Sequence, residues 1–232
     1  MARTINTEKT KKKSKLKIFL IVLLILLVIA GGAFLVWKLV FDKEETGTAV
    51  QVKELDNLSD YSYVLTDRDS SYYKSEFEEL KKIVNVDEVD EEAYAVQVAR
   101  MFIIDLYTMN TKVNKYDIGG IEFIHIDAKD KYEKKVMDTL YSQMLDDTYG
   151  DRKQVLPEVN SLETISTEKM TYSVLGKEQT CYLTKFNVGY VADLKYDTKQ
   201  SVVVCQEKDT IKWGVVDFQP TFTPKYSTEK EQ

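Results

Sequence analysis

Histidine and cysteine are scarce in this chain, and their scarcity removes several classes of function. His125 is the only histidine among 232 residues, and one imidazole does not make a zinc site. The acids lack the aspartate, asparagine and glycine spacing of a calcium loop. No catalytic or nucleotide-binding motif stands out either. We therefore expect no metal, no other cofactor and no enzymatic activity.

What the chain has instead is one long apolar run near its start. Residues 18–37 carry no charge, and about 20 helical residues at 1.5 Å rise cross a hydrocarbon core of about 30 Å. A cleavable signal peptide has an apolar region of only about 7 to 15 residues. Here apolar residues resume after the small residues 30–33, so we interpret residues 18–41 as an uncleaved transmembrane helix.

Charge differs sharply between the two sides of this run. Residues 1–17 carry seven basic side chains and one acid, which predicts a cytoplasmic tail beside anionic lipid. Residues 42–232 carry a net charge of −13 and are expected outside the membrane, repelled by phosphate-rich surfaces. The predicted location is the cell membrane with a single span. The expected partners are the lipid bilayer and other envelope proteins or a second copy, and no nucleic acid.

The exported residues divide into a stalk, one domain and a tail. Residues 42–59 are polar without a sustained period, which is typical of a stalk. Residues 60–218 are long enough for one domain with a core of its own. Residues 219–232 contain two prolines and then only polar positions after Tyr226, which predicts a flexible C-terminal tail.

Periodicity predicts helices first and strands second within residues 60–218. Apolar positions at helical spacing indicate a helix capped by Asp69 and a mostly buried helix from Asp87 to about Met109. They also indicate a third helix capped by Asp127, whose apolar stripe runs from Tyr132 to Leu145. Gly119 and Gly120 break the chain before a short extended segment, 121–126. Alternating side chains indicate strands over residues 159–169, 180–194, 201–207 and 210–218, the last pair joined by a two-residue loop at 208–209. This order indicates an α+β domain, about three helices packed on a four-stranded antiparallel sheet.

The predicted strand pairing keeps the two cysteines apart. If the second and third strands turn at residues 197–198, Cys205 lies opposite residue 190, and Cys181 is about nine residues away, roughly 30 Å at 3.3 Å per residue. A disulfide requires Cα atoms within about 7 Å. We therefore expect no disulfide but two separate buried thiols, unless a bend at Gly189 folds the long strand back.

Four residues are candidates for a ligand site. Asp105 is the one acid on the inward side of an otherwise apolar helix, and Tyr107 and Tyr190 fall on predicted core faces. A buried carboxylate and tyrosines can line a polar pocket, but they can equally hold the fold together. His125 lies two residues before Asp127 and could act as an oriented base. Because no nucleophile motif accompanies it, a histidine without catalytic role is the preferred interpretation.

The order of three helices with a Gly-Gly break and then four strands, behind a single anchor, resembles the nuclear-transport-factor-two-like superfamily. The resemblance covers about residues 70–218 and implies a curved sheet wrapped over helices into a cone. It includes membrane-anchored members such as conjugative type IV secretion assembly factors. The segments RMFIIDLYT (100–108), DIGGIEF (117–123) and LPEV (156–159) are also similar to envelope proteins of Gram-positive-type bacteria without an assigned activity.

Three hypotheses remain for the function. The first is a single-pass envelope protein whose exported domain is a non-enzymatic interaction or assembly module, for example within a secretion or conjugation complex. The second is a domain that binds a small or wall-derived ligand in the cone interior, near Asp105 and Tyr190. The third is a hydrolase or isomerase that uses His125 and Asp127.

Overall fold

The computed structural model describes residues 52–219. These residues belong to one compact unit, Val50–Gln232. The predicted cytoplasmic tail at 1–17, the predicted transmembrane helix at 18–41, residues 42–51 of the stalk and residues 220–232 of the C-terminal tail lie outside the described residues. Between residues 52 and 219, no helix is both long and apolar enough to cross a membrane.

Strands and helices alternate in blocks along the described residues. Their order is β1 (Glu54–Leu58), β2 (Tyr63–Thr66), α1 (Ser71–Val84), α2 (Glu91–Tyr107), α3 (Lys129–Asp138), β3 (Val159–Val174), β4 (Lys177–Tyr190), β5 (Lys199–Gln206) and β6 (Trp213–Gln219). β1 and β2 pair as an antiparallel hairpin. β3 to β6 form an antiparallel sheet in sequence order. The predicted α+β class, with three helices and a four-stranded antiparallel sheet, is confirmed.

Side-chain caps determine where α1 and α2 begin. Ser70 caps α1, because its Oγ accepts a hydrogen bond from Tyr73 N at 3.1 Å. The predicted cap, Asp69, lies one residue too early, and its carboxylate accepts instead from Thr66 N at 2.6 Å. Asp90 caps α2 by accepting from Ala93 N at 3.0 Å. The acids that follow it favour the amide end of the helix.

α2 is the central element of the domain. It contacts all four strands of the sheet and also packs against α1. Its residues are mostly buried, as the sequence predicts, because they have neighbours on both sides. The core that forms around α2 includes the largest fully buried side chains of the domain: Tyr63, Tyr94, Tyr141, Phe77, Phe102, Phe123 and Phe186.

A shielded ion pair joins α1, α2 and β3. Arg100 on α2 donates to Glu76 on α1 from Nε at 2.8 Å and from Nη2 at 2.5 Å. Arg100 Nη1 also donates to Leu162 O on β3 at 2.8 Å. Because the guanidinium satisfies both carboxylate oxygens and a carbonyl, two charges are held inside the packing without being left unpaired.

The region around α3 departs from the sequence expectation. α3 ends at Asp138, although its apolar stripe was expected to continue to residue 145, and its N-cap is Ala128 instead of Asp127. Tyr141 and Met144 are still buried, but they lie beyond the helix, Tyr141 in a turn and Met144 in an irregular segment. The segment 121–126 forms 3-10 turns instead of a strand, with one parallel bridge between Ile124 and Val215.

Two hairpins also differ from the expected pairing. β3 and β4 continue past their predicted ends to a two-residue turn at Leu175 and Gly176, whose φ angles are 48° and 78°. Positive φ at both positions is typical of the turn that joins twisted antiparallel strands. The predicted two-residue loop at 208–209 is instead a longer loop, residues 207–212.

The folded domain begins earlier than expected. The stalk was predicted to reach residue 59, but Glu54 to Leu58 form β1 and pair with β2. Leu58 is the only buried residue of β1, so the strand shows no alternation that a periodicity analysis detects. The folded part therefore starts by Glu54, not at Asp60.

The expectation of two separate thiols is wrong, because Cys181 and Cys205 form a disulfide. β4 ends at Tyr190, and residues 191–198 form the loop to β5. This loop shifts the register so that Cys181 lies directly opposite Cys205, with a Cα–Cα distance of 4.2 Å. β4 was expected to continue to residue 194, which placed Cys205 opposite the wrong residue.

The disulfide lies in a second apolar cluster, separate from the main core. Val174 and Val203 are buried with it, and partly buried side chains pack around these four residues. Tyr172 is one of them, and its hydroxyl donates to Asp217 Oδ2 at 3.3 Å. The side chains of this cluster come from all four strands of the sheet. The disulfide joins β4 to β5, the two central strands.

We expect reduction of this disulfide to destabilise the domain. Cross-linking residues 24 apart removes unfolded-state entropy worth about 3 kcal/mol. Urea unfolding followed by circular dichroism, with and without dithiothreitol, measures the change in the free energy of unfolding. A Cys181→Ala/Cys205→Ala double variant is the control and should not respond to the reductant. Equal midpoints for the wild-type chain in both buffers would contradict the disulfide.

Candidate functional site

Asp105 projects from α2 into a polar cavity of about 190 Å³. Its Oδ1 forms an ion pair with Lys112 Nζ, and its Oδ2 accepts from Gly120 N at 2.6 Å. The Gly119–Gly120 pair permits this approach, since a Cβ on Gly119 would lie 2.1 Å from Asp105 O. The predicted break at these glycines is therefore the point where the following loop docks on α2.

The cavity brings together charged residues from four parts of the chain. Its lining comprises Val52, Val64, Thr66, Arg68, Asp69, Tyr73, Asp105, Thr111, Lys112, Asp117, Ile118, Ile121 and Glu122. We call this the polar cavity. Four of these side chains are carboxylates and two are cations, so the lining has an excess of negative charge when all six are ionised.

Two of the four carboxylates are matched by cations. Burial alone would lower the pKa of the Lys112 ammonium, but the Asp105 carboxylate raises it above its usual value. Arg68 pairs with Asp117, with 3.2 Å between Nη1 and Oδ2, and donates from Nη2 to Thr111 O. Asp117 Oδ2 also accepts from Val113 N at 2.8 Å. Lys112 is thus the partner of Asp105, and Arg68 is the partner of Asp117.

The other two carboxylates, Asp69 and Glu122, have no cation in contact among residues 52–219. Burial raises the pKa of the Asp69 carboxyl despite the hydrogen bonds from Thr66. Burial likewise raises the pKa of Glu122 to about 7, with the charges of Asp105 and Asp69 adding to the effect. Glu122 therefore titrates near neutral pH.

Tyr107 and Tyr190 do not join Asp105 in the polar cavity. Tyr107 is buried, its hydroxyl donates to Gln200 Oε1 at 3.4 Å, and its ring meets Tyr190 and Tyr196 edge to face at 6.3 and 6.4 Å. Tyr190 OH donates to Asp197 O at 3.2 Å. This aromatic cluster packs the end of α2 against the β4–β5 loop. The expected grouping of Asp105 with these tyrosines is therefore not found.

His125 is buried, with 2% of its surface exposed, and does not line the polar cavity. Its Nδ1 accepts from Asp127 N at 3.2 Å and lies 3.9 Å from Asp127 Oδ2. Its Nε2 has no hydrogen-bond partner among the described residues. A Cβ on Gly214 would lie 2.5 Å from His125 Cα. These contacts are those of a packed residue at the edge of β6.

A second feature is a pair of loops held together by Arg152. We define the loop pair as residues 110–117 and 144–156. Arg152 donates to Lys112 O at 2.9 Å, Asn110 O at 3.1 Å and Leu145 O at 3.2 Å. The two loops also share a bond from Asp147 N to Val113 O at 2.7 Å. The Arg152 side chain is buried, so it joins the two loops from inside the fold.

The loop pair exposes four large apolar side chains. Tyr116 is 69% exposed, Leu145 60%, Tyr149 52% and Val155 71%. Lys115 Nζ lies 5.1 Å from the centre of the Tyr116 ring, a cation–π contact. Isolated exposed apolar residues are ordinary on protein surfaces, but four of them on two loops that Arg152 joins make the loop pair a candidate interaction site.

Sequence reasoning identified Asp105 but missed its neighbours. Asp69, Lys112, Tyr73 and Glu122 lie on separate elements, and no spacing rule connects them. The signal that existed was the Gly-Gly break with an acid on each side, Asp117 and Glu122, because a tight backbone approach places its flanking side chains close to a neighbour. Arg152 gave no sequence signal, since it acts on backbone carbonyls alone.

Neither metal chemistry nor a known relative gives these residues a role. Among residues 52–219, no three histidine, cysteine, aspartate or glutamate side chains are placed to share a metal ion. No protein-family model, no curated protein and no solved structure matches this chain. Its function therefore has to be inferred from the contacts of its own residues.

We expect Glu122 to make folding stability depend on pH. Its pKa of about 7 in the folded chain exceeds the value of 4.5 for an ordinary glutamate, so the folded state retains a proton that the unfolded state has released. The contribution of Glu122 to stability therefore falls as pH rises from about 5 to 7, by about 2 to 3 kcal/mol. Glu122→Gln should remove this fall and be more stable than wild type at pH 8.

Urea unfolding at pH 5 and pH 8 measures this difference. Glu168→Gln, at an exposed position on β3, is the matched control and should follow the wild-type chain at both pH values. If wild type and Glu122→Gln lose stability equally between pH 5 and pH 8, Glu122 ionises normally in the folded state.

Proposed function

We propose that this chain is a single-pass membrane protein whose exported domain is a non-enzymatic interaction module for other envelope proteins. The apolar run at 18–41 and the basic tail at 1–17 support this topology. The Cys181–Cys205 disulfide adds independent support. Disulfides persist in oxidising compartments and are rare in the cytosol, so a domain outside the cytoplasm is the natural setting for this one.

The observation that carries the interaction role is the loop pair. It presents Tyr116, Leu145, Tyr149 and Val155 at more than half exposure. The buried Arg152 side chain hydrogen-bonds backbone carbonyls of both loops and so fixes their backbones relative to each other. Little conformational entropy is then lost when a partner covers these side chains, and tyrosine is enriched at protein interfaces.

The charge of the exported residues indicates the chemistry of the partner. A net charge of −13 over residues 42–232 repels anionic lipid surfaces and other acidic proteins. The partner that fits is a protein with an apolar patch surrounded by basic residues. A second copy of this acidic chain fits less well, because two such surfaces would repel each other.

The resemblance to the nuclear-transport-factor-two-like superfamily gives the proposal further support. Its membrane-anchored members include secretion assembly factors with the same order of tail, span and exported domain. This support concerns fold and topology, and a fold alone does not establish a function. A domain that binds a small or wall-derived ligand in its interior is the second candidate, and the polar cavity around Asp105 supports it.

The topology predicts which positions a membrane-impermeant maleimide can label in intact cells. The two native cysteines are joined, so they give no background. We expect Lys177→Cys, at the exposed tip of the β3–β4 hairpin, to be labelled in intact cells. Ser14→Cys should be labelled only after the cells are permeabilised. The reverse pattern would place the domain in the cytoplasm and contradict the proposed topology.

The loop pair predicts where a partner binds. A photocrosslinking amino acid at Tyr116 or Val155, in the full chain in intact membranes, should capture the same envelope protein, identified by mass spectrometry. The control position is Ile211, which is 56% exposed on the β5–β6 loop, and it should not capture this protein. Val155→Glu should reduce the capture from Tyr116 at least tenfold, because a carboxylate buried in an apolar contact is costly.

Other outcomes of this experiment would argue against the proposal. Capture of only the same chain would indicate self-association, and capture of lipid alone would indicate a membrane-facing surface. Equal capture from Ile211 and from the loop pair would mean that the loop pair has no special role.

A further inference from the structure

We propose that the polar cavity binds a primary ammonium group on a short alkyl chain, such as that of a free amine or of a lysine side chain. This inference builds on the second candidate function, an internal ligand site, and does not require a partner on the loop pair. Three observations carry it: two carboxylates that each have an oxygen without a donor among the described residues, a buried tyrosine whose hydroxyl no described residue contacts by a hydrogen bond, and the size of the cavity.

The first observation concerns Asp69 and Glu122. Asp69 Oδ2 accepts from Thr66 N and Oγ1, but no described residue donates to Asp69 Oδ1. Glu122 Oε2 accepts from Val64 N at 3.1 Å, and no described residue donates to Glu122 Oε1. Each carboxylate thus keeps one oxygen for a donor, and the two cations of the cavity form ion pairs with the other two carboxylates, Asp105 and Asp117.

The second observation is the hydroxyl of Tyr73. Tyr73 is 4% exposed and lines the polar cavity, yet its hydroxyl has no hydrogen-bond partner among the described residues. Asp105, Glu122 and Asp69 are close enough to raise the pKa of Tyr73, which burial has already raised. The hydroxyl oxygen is not itself sealed off, because His125 Nε2 is the only fully buried side-chain nitrogen or oxygen without a partner among residues 52–219. This hydroxyl therefore faces the space where a ligand would supply one.

These groups match the hydrogen-bonding capacity of one ammonium. An alkylammonium has three N–H donors and no acceptor. Asp69 Oδ1, Glu122 Oε1 and the Tyr73 hydroxyl offer three acceptors, and the two carboxylates supply the opposite charge. A neutral alcohol would satisfy the hydroxyl but leave the carboxylates uncompensated.

The third observation is the space itself. A volume of about 190 Å³ corresponds to roughly six water molecules at about 30 Å³ each, which is below the range of drug-sized ligand pockets. Val64, Ile118 and Ile121 supply apolar surface beside the charged groups. A short methylene chain ending in an ammonium fills such a space, whereas a sugar or a wall peptide does not.

A metal ion fits the same residues poorly. Within the described part of the chain, no three carboxylate, histidine or cysteine side chains are placed around one point. Divalent metals require several oxygen ligands at about 2.0 to 2.6 Å. An ammonium accepts longer and less regular contacts, so it is the cation that this arrangement suits.

The test is isothermal titration calorimetry of the full chain in non-ionic detergent at pH 8, with pentylamine as the probe. We expect pentylamine to bind, and 1-pentanol and tetramethylammonium to show at least tenfold weaker binding, because they lack charge and N–H donors respectively. Asp69→Asn and Tyr73→Phe should each weaken pentylamine binding, Asp69→Asn by about tenfold or more.

Two variants serve as matched controls. Tyr72→Phe removes a hydroxyl on the same helix that accepts from Arg100 Nη2 at 3.2 Å and lies outside the cavity lining. Asp60→Asn removes an exposed charge. Both should bind pentylamine as the wild-type chain does. Circular dichroism of every variant separates a loss of binding from a loss of folding.

The pH dependence gives a second readout. Glu122 faces Asp105 and Asp69 from within the cavity and Lys212 from the β5–β6 loop. Its carboxyl loses its proton between pH 6 and pH 8, so pentylamine should bind more tightly at pH 8, and Glu122→Gln should remove this difference. Unchanged affinity across this range in the wild-type chain would count against the site.

Further outcomes separate the sources of the ligand and define failure. Equal affinity for pentylamine and Nα-acetyl-lysine amide would indicate a lysine side chain, and preference for pentylamine a free amine; both support the site. The proposal is overturned if no amine binds at millimolar concentration, or if Asp69→Asn and Tyr73→Phe bind as the wild type does. Because no partner protein is present, none of these results tests the loop pair.

Discussion

The Asp105 carboxylate is the contact on which both candidate sites depend. It lies on α2, the most buried helix, where an acid is tolerated only with partners. The Lys112 ammonium and the Gly120 amide supply them, which fixes residues 112–120 against α2. One of the two loops that Arg152 joins runs through this segment, and the segment also forms one wall of the polar cavity. Removing the carboxylate would leave the Lys112 charge buried and unpaired.

The sequence predicted the secondary structure correctly where the apolar residues of an element repeat with its period and all pack into the core. α1, α2 and the four sheet strands are where their apolar spacing placed them, within a few residues at most ends. β1 was missed because only Leu58 is buried in it. α3 was overextended because Tyr141 and Met144 continue the apolar stripe after the helix has ended. In α2 the buried residues are also helical, whereas after α3 buried residues lie outside any helix.

The sites were predictable only in part, and the reason is geometric. Asp105 was recognisable because it is an acid in an apolar helix. The neighbours of Asp105 are determined by how the Gly119–Gly120 segment docks, which no local pattern encodes. The disulfide was missed for a similar reason. Where the turn between β4 and β5 lies determines which residue faces Cys205, and placing it too late moved the expected partner from Cys181 to residue 190.

The β1–β2 hairpin has a mechanical consequence if the chain is tethered as proposed. Tension from an anchor would enter at residue 52, beside the open end of the hairpin, where Glu54 pairs with Thr66. A pull directed away from β2 at this end would unzip the pairs one after another, instead of shearing them all at once. The five residues of β1 would then lengthen the linker between anchor and folded domain by up to roughly 17 Å at about 3.4 Å per residue. The four-stranded sheet, which the disulfide cross-links, would stay folded.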